Sequence, residues 1–168
     1  MMIRAAFASF ALLLLSACGL QPLYSGGSGD AVAQGLAAVD VAPIQGRDGW
    51  LVRNALSDRL QLSGENVAPR YRLDVQLDDS LEALGVLNDD TISRERRILR
   101  ARYQLVDISS GTILLDATSG SDAGIDVVSS EYATIAAEQT ALENLAREVA
   151  ERMVRQVALT LREAEQDQ

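Results

Sequence analysis

Few residues of this chain can do chemistry. It has one cysteine, Cys18, and no histidine, so the commonest general base and the commonest metal ligand are both missing. The aspartate pairs 78-79 and 89-90 raise the question of paired-carboxylate catalysis or metal binding. Successive residues of a strand point to opposite faces, and the second pair sits in the turn-like stretch LNDD, so neither pair converges on a substrate. An aromatic content of 4% leaves few platforms on which a sugar could stack. The expectation is no catalytic residue, no metal site and no dissociable cofactor. What remains is arginine, which supplies every basic side chain, and five arginines fall within Arg94, Arg96, Arg97, Arg100 and Arg102. A guanidinium stays charged at any relevant pH and grips phosphate or carboxylate oxygens bidentately, so such a cluster suits an anionic partner. A second reading is a solvated strand face whose arginines pair across a hairpin to Asp74, Asp78 and Glu95. Seven arginines and seven acids share residues 70–102, which removes any strong local field.

Cys18 is the other reactive group, and its surroundings define it. Met1 to Arg4 form a short positive start, and Ala5 to Leu15 are apolar except for Ser9. A bilayer-spanning helix needs roughly 20 apolar residues, so this stretch has the proportions of a secretory signal peptide, residues 1–17. Leu15-Ser16-Ala17-Cys18 resembles the bacterial lipobox, in which the cysteine sulfur takes a diacylglycerol thioether before cleavage. The alternative is an ordinary signal peptide cut near Ala17, which would leave a reactive thiol in an oxidising compartment. The lipobox reading implies covalent diacylglycerol and N-acyl lipid on Cys18, and two or more chains anchor a protein stably where one does so marginally. Gly19, where aspartate would be a retention signal, resembles the pattern of lipoproteins exported to the periplasmic side of an outer membrane.

The elements that must carry the arginines follow from periodicity. Residues 18–35, with SGGSG at their centre, read as a lipidated N-terminus and flexible tether, because glycine loses the most backbone freedom on ordering. Residues 36–168 read as one domain. Val39 and Val41 alternate with Asp40 in a short strand ending near Pro43. Asp48 offers an N-cap to a helix with Val52, Ala55, Leu56 and Leu60 on one face, stopped at Ser63-Gly64. Trp50 reads as a packing residue at the start of that helix. Tyr71, Leu73, Val75 and Leu77 alternate with polar residues, as do Leu99, Ala101, Tyr103 and Leu105 with Arg100, Arg102 and Gln104. LNDD, 87–90, turns one run into an antiparallel partner of the other, and SSG, 109–111, leads into a third strand at TILLDAT. From Glu131 to about Arg162 the period is helical, with Tyr132, Ile135, Leu142, Leu145, Val149, Met153 and Val157 in one stripe and acids fraying its end. The order β-α-β-β-β-α predicts an α+β fold. It is a two-layer α/β sandwich, with a four-stranded, largely antiparallel sheet and two helices on one face, leaving the other face bare and charged. No internal repeat or nucleic-acid motif is visible, and we expect no nucleic-acid partner.

A lipobox followed by CGLQPLY (Cys18, Gly19, Pro22, Leu23 and Tyr24), a glycine-rich tether and this element order resemble the LPS-assembly lipoprotein family LptE, in its alphaproteobacterial form. Leu20 departs from the aromatic residue expected after Cys-Gly. The resemblance implies a non-enzymatic subunit of the lipopolysaccharide transport machine. Such a subunit plugs and helps assemble the LptD-type outer-membrane β-barrel that inserts lipopolysaccharide, and can itself bind lipopolysaccharide. On that view Arg94, Arg96, Arg100 and Arg102, sharing one face, with Arg70 and Arg72, are candidate contacts for lipopolysaccharide or the barrel. Pro22, Leu23 and Tyr24 beside the anchor are candidate docking residues, or else part of the tether. A generic outer-membrane lipoprotein binding another lipid or envelope component is the alternative.

Overall fold

The computed structural model describes residues 28–60, 67–84 and 94–166. The signal peptide, Cys18, Pro22, Leu23, Tyr24 and the expected stops at Ser63-Gly64 and 87–90 lie outside them. The order is α1 (Ser28–Ala37), β1 (Val39–Val41), α2 (Gly46–Leu60), β2 (Tyr71–Ala83), β3 (Arg94–Asp107), β4 (Ile113–Asp126) and α3 (Glu131–Gln166). The four strands form one sheet in the order β1-β2-β3-β4, with β1 parallel to β2 and the rest an antiparallel meander. The expected two-layer α+β architecture is what forms, with one helix more than the sequence pattern suggests.

That extra helix corrects the tether. Flexible backbone was expected through Gly35, yet a helix begins at Ser28. Val32 and Leu36, four residues apart, are both buried, and their burial outweighs the local cost of glycine. Gly35 assists by being small: a Cβ there would sit 3.3 Å from Leu161 Cδ1, so α1 lies close against the last turns of α3. Leu161 is itself buried, and α3 continues to Gln166, past the point where acids were expected to fray it.

One continuous core joins the layers. Leu73, Leu99, Tyr103 and Leu105 face Val52 and Leu56 of α2 and Leu145, Val149, Met153 and Val157 of α3. The alternation read in the two hairpin strands is the one observed, paired from Tyr71 with Asp107 to Ala83 with Glu95. α2 starts two residues before the expected cap, so Asp48 lies within the first turn, where its charge meets the positive end of the helix dipole. Trp50 does not pack at the helix start; it is 62% exposed.

Two boundaries differ for a shared reason. β4 does not end at Thr118 but continues to Asp126, because pairing with β3 persists and Ile125 anchors the far end in the interior. The apolar stripe of α3, by contrast, is buried only from Ala141 onward: Tyr132 is 84% exposed and Ile135 is also exposed. The groove between α2 and α3 is lined on α3 by Glu143, Ala146 and Arg147, so the first turns of α3 extend beyond α2. Periodicity reports which face is apolar, but the length of the neighbour decides how much of it is covered. At 36 residues α3 is about 54 Å long.

Candidate functional site

The helices occupy one face of the sheet, and the other face presents the even-numbered residues of β3. Arg94, Arg96, Arg100 and Arg102 stand in one column on it with Ile98, as their spacing in a strand requires. Arg72 shares this face at the opposite end of the sheet, across from Val106. Arg70 precedes β2; its guanidinium lies 5.2 Å from the Tyr71 ring centroid and pairs with Asp107 at 3.8 Å. The six arginines singled out by sequence are therefore not one site. Four form a column, and two sit near its far end.

The ion pairs run to an unexpected strand. Asp74, Asp78 and Glu95 were expected to neutralise the column, but its pairs are with β4: Arg94 with Asp126 at 3.4 Å, Arg96 with Asp122 at 3.0 Å and Arg102 with Asp116 at 3.1 Å. Asp74 instead accepts from Arg72 in its own strand at 2.9 Å. Glu95 faces the helices, because it is odd-numbered, and one of its carboxylate oxygens is buried without a partner among the described residues. β4 was expected to end before two of these acids, which is why the pairing was not foreseen. Donation from Arg102 and then Gln104 holds the Asp116 carboxyl below the usual aspartate range. The Arg96 and Arg102 guanidiniums are each held more firmly charged, first by the hydrogen bond to their aspartate and then by its charge.

Arg100 is different: among the described residues it makes no ion pair. Opposite it in β4 is Gly120, where a Cβ would come within 3.2 Å of Arg100 Cγ. The absence of a side chain lets the arginine stem lie across the strand. An open cleft of about 520 Å³ adjoins it, lined by Glu82, Arg96, Arg100, Asp122 and Arg152 with Ile98 at its floor. Arg152 comes from α3. It reaches the edge of β4, donates to the Gly120 carbonyl and pairs with Glu148 at 3.8 Å. Local sequence gave no signal for it, since Arg152 and Glu148 read as an ordinary surface pair four residues apart.

Arg97 is the arginine that points the other way. It donates to both carboxylate oxygens of Asp79, at 2.9 and 2.5 Å, and to the Glu138 carbonyl of α3 at 3.1 Å. Its side chain and that of Asp79 are 17% and 19% exposed, so it ties sheet to helix and takes no part in the open face. The chemistry the arginines give the open face is electrostatic: fixed guanidiniums able to hold anionic oxygens. Among the described residues no cluster of three potential metal ligands occurs, and no helix is long and apolar enough to cross a membrane.

The family model described as lipopolysaccharide-assembly, LptE, matches residues 36–157. The sequence matches no curated protein. Among solved structures, a chain from Caulobacter crescentus described as a lipoprotein is 25% identical. The match covers 80% of this chain and 98% of that one, with a TM-score of 0.66. A minor lipoprotein from Acinetobacter baumannii, 16% identical over 72% of this chain and 88% of its own, has a TM-score of 0.55. The rare lipoprotein B of Shewanella oneidensis, 12% identical over 77% and 100%, also has a TM-score of 0.55. The last two show the fold alone.

Proposed function

This chain belongs to the LptE lipopolysaccharide-assembly family, and on that premise we propose that it is the lipid-anchored outer-membrane subunit that plugs and helps assemble the barrel inserting lipopolysaccharide. It acts without catalysis, held to the periplasmic side of the outer membrane by acyl chains on Cys18. The observation that carries the reading is the face of the sheet that none of the described elements covers. Behind a face packed on the apolar core, it presents a column of arginines, three of them paired to aspartates at 3.0–3.4 Å. A face built of ion pairs suits the wet, polar interior of a large barrel and would be misplaced against lipid.

Arg96, Arg100 and Arg152 around the cleft are the part of that face we assign to anionic contact, either a lipopolysaccharide phosphate or an acidic group of the barrel wall. The paired arginines must exchange one carboxylate for another partner, whereas Arg100 need not. Charge reversal of Arg100 should therefore weaken the contact more than reversal of Arg94.

The test is extraction of the outer membrane in mild detergent with a C-terminal tag on this protein, followed by identification of what co-purifies. A near-stoichiometric large β-barrel supports the reading, and a monomer without a barrel refutes it. If Arg96→Glu with Arg100→Glu leaves both barrel recovery and lipopolysaccharide binding intact, the arginine assignment fails while the barrel partnership stands. Cys18→Ser should move the protein from the membrane fraction to the soluble periplasm, and unchanged fractionation would refute the anchor.

A further inference from the structure

β1 pairs with β2 only along Val39–Val41, and the last bond runs from the Ala42 N–H to the Leu73 carbonyl. Pro43, which has no N–H to donate, follows, and the chain leaves for α2. β2 nevertheless continues to Ala83 with no strand beside it on that side among the described residues. The phase of the ladder decides what this edge offers. The Leu84 N–H bonds to the Arg94 carbonyl and the Ile108 N–H to the Arg70 carbonyl, so even-numbered residues of β2 commit their backbone groups to β3. The N–H and C=O groups of Val75, Leu77, Asp79, Leu81 and Ala83 point to the open edge, and none has a backbone partner there among the described residues. The row is roughly 27 Å long.

Unprotected edges are a liability that proteins usually blunt, and the opposite edge of this sheet is blunted at one position. On β4 the outward carbonyl of Gly120 is taken by Arg152 of α3. No outward backbone group of β2 from Val75 to Ala83 has such a partner among the described residues. Its side chains also have a pattern that specifies an occupant. Across the open face, charge alternates by strand: Asp116, Asp122 and Asp126 on β4, then the arginines of β3, then Asp78 and Glu82 on β2, opposite Arg100 and Arg96. Asp78 and Glu82 make no ion pair among the described residues, so the column that would complete the series is basic. On the helix side, Leu77 and Leu81 offer apolar surface, and Leu81 is 45% exposed. A second copy of this chain fits poorly, since its own β2 would bring acids against acids.

We propose that the β2 edge from Val75 to Ala83 receives an extended segment of a partner protein in which basic residues alternate with apolar ones. Backbone hydrogen bonds provide the docking, and Asp78 and Glu82 select the basic side. The inference does not rest on the barrel reading, because any partner carrying such a strand would satisfy it.

The test uses the full mature lipoprotein in non-ionic detergent and two blocked nine-residue peptides, one alternating valine with arginine and one alternating valine with glutamate. Amide exchange followed by NMR reports each backbone N–H separately. The valine-arginine peptide should slow exchange at residues 75, 77, 79, 81 and 83 by tenfold or more, and the valine-glutamate peptide should not. Leu81→Pro removes an outward donor without breaking the β3 ladder and should weaken binding at least tenfold, while Thr118→Pro at the outward positions of β4 should leave it unchanged. Should Leu81→Pro fail to fold, Asp78→Arg with Glu82→Arg carries the same test at two exposed side chains by reversing the peptide preference. Equal response to both peptides, slowing on β4, no slowing at all, or amides already protected before peptide is added would each overturn the proposal.

Discussion

Replacing Arg97 with methionine separates the one structural arginine of the cluster from its neighbours on the open face. The substitution keeps the aliphatic stem and removes three hydrogen bonds, two to Asp79 and one to the Glu138 carbonyl. It also leaves the Asp79 carboxylate, 19% exposed, without its cation. Breaking a fully buried pair costs about 3–5 kcal/mol and an exposed one about 0.2–1 kcal/mol. A largely buried, doubly bonded pair at a layer boundary falls between, at about 2–3 kcal/mol. For a domain of this size that is a fall in Tm of roughly 8 °C. Because the bond to Glu138 ties α3 to the sheet, amide exchange should also quicken in the turns around residue 138 more than near Met153. Arg96→Met, which removes one exposed pair, should cost less than about 1 kcal/mol. The double variant Arg97→Met with Asp79→Leu should recover to within about 1 kcal/mol of the parent, since the stranded carboxylate is then gone. Urea unfolding monitored by circular dichroism measures all four proteins. Equal losses for Arg97→Met and Arg96→Met, or no recovery in the double variant, would refute the reasoning.

Met153→Ala should cost about 2–5 kcal/mol in the same assay, because its side chain is fully buried between the layers and its removal leaves a cavity. Gly35→Leu should undock α1 from Leu161 while sparing the sheet, read as new proteolytic cleavage within residues 28–37 at nearly unchanged Tm; resistance to cleavage would contradict the docking. Asp107 is held below the usual aspartate range first by the Ser109 hydroxyl and then by the Ser110 N–H, and Asp116 by Arg102. Both folded pKa values are depressed, so their contribution is complete above the unfolded value of about 3.9 and is lost as pH falls through the lower folded values. Asp116→Asn should therefore flatten the decline of stability below about pH 4 relative to the parent, and an unchanged acid profile would contradict the assignment.

The hairpin strands were legible because each has one buried face, which makes a period of two unambiguous and fixes register at every residue from Tyr71 to Ala83. The same alternation places the four arginines on a common face from sequence alone. Helix α1 was not legible: SGDAVAQGLA has two buried anchors and two glycines, and its stability comes from Leu161, more than a hundred residues away in the chain. The far half of β4 was hidden in a similar way. SGSDAG carries turn residues throughout, yet it extends because β3 supplies a continuous partner and because Gly120 makes room for the arginine stem opposite. In both cases long-range packing overrode local propensity.

That overriding also explains why the arginine cluster could be located but its electrostatics could not be read. The acids nearest in sequence lie on β2, and simple counting assigns them to the arginines. The aspartates that accept the β3 arginines lie instead on β4, two of them past its expected end, so once β4 extends, three of the four arginines are satisfied on one side. The acids of β2 are thereby released from the role first assigned to them. Asp78 and Glu82 line the β2 edge, which no strand covers beyond Val41 among the described residues, and the error about where β4 ends is the reason that edge looked neutralised from sequence. If the edge is a docking site, reversing Asp122 and Asp126 to arginine should drive Arg96 and Arg94 toward the β2 acids and reduce binding of the valine-arginine peptide. Unchanged binding in that variant would refute a coupling of the two edges through the arginine column.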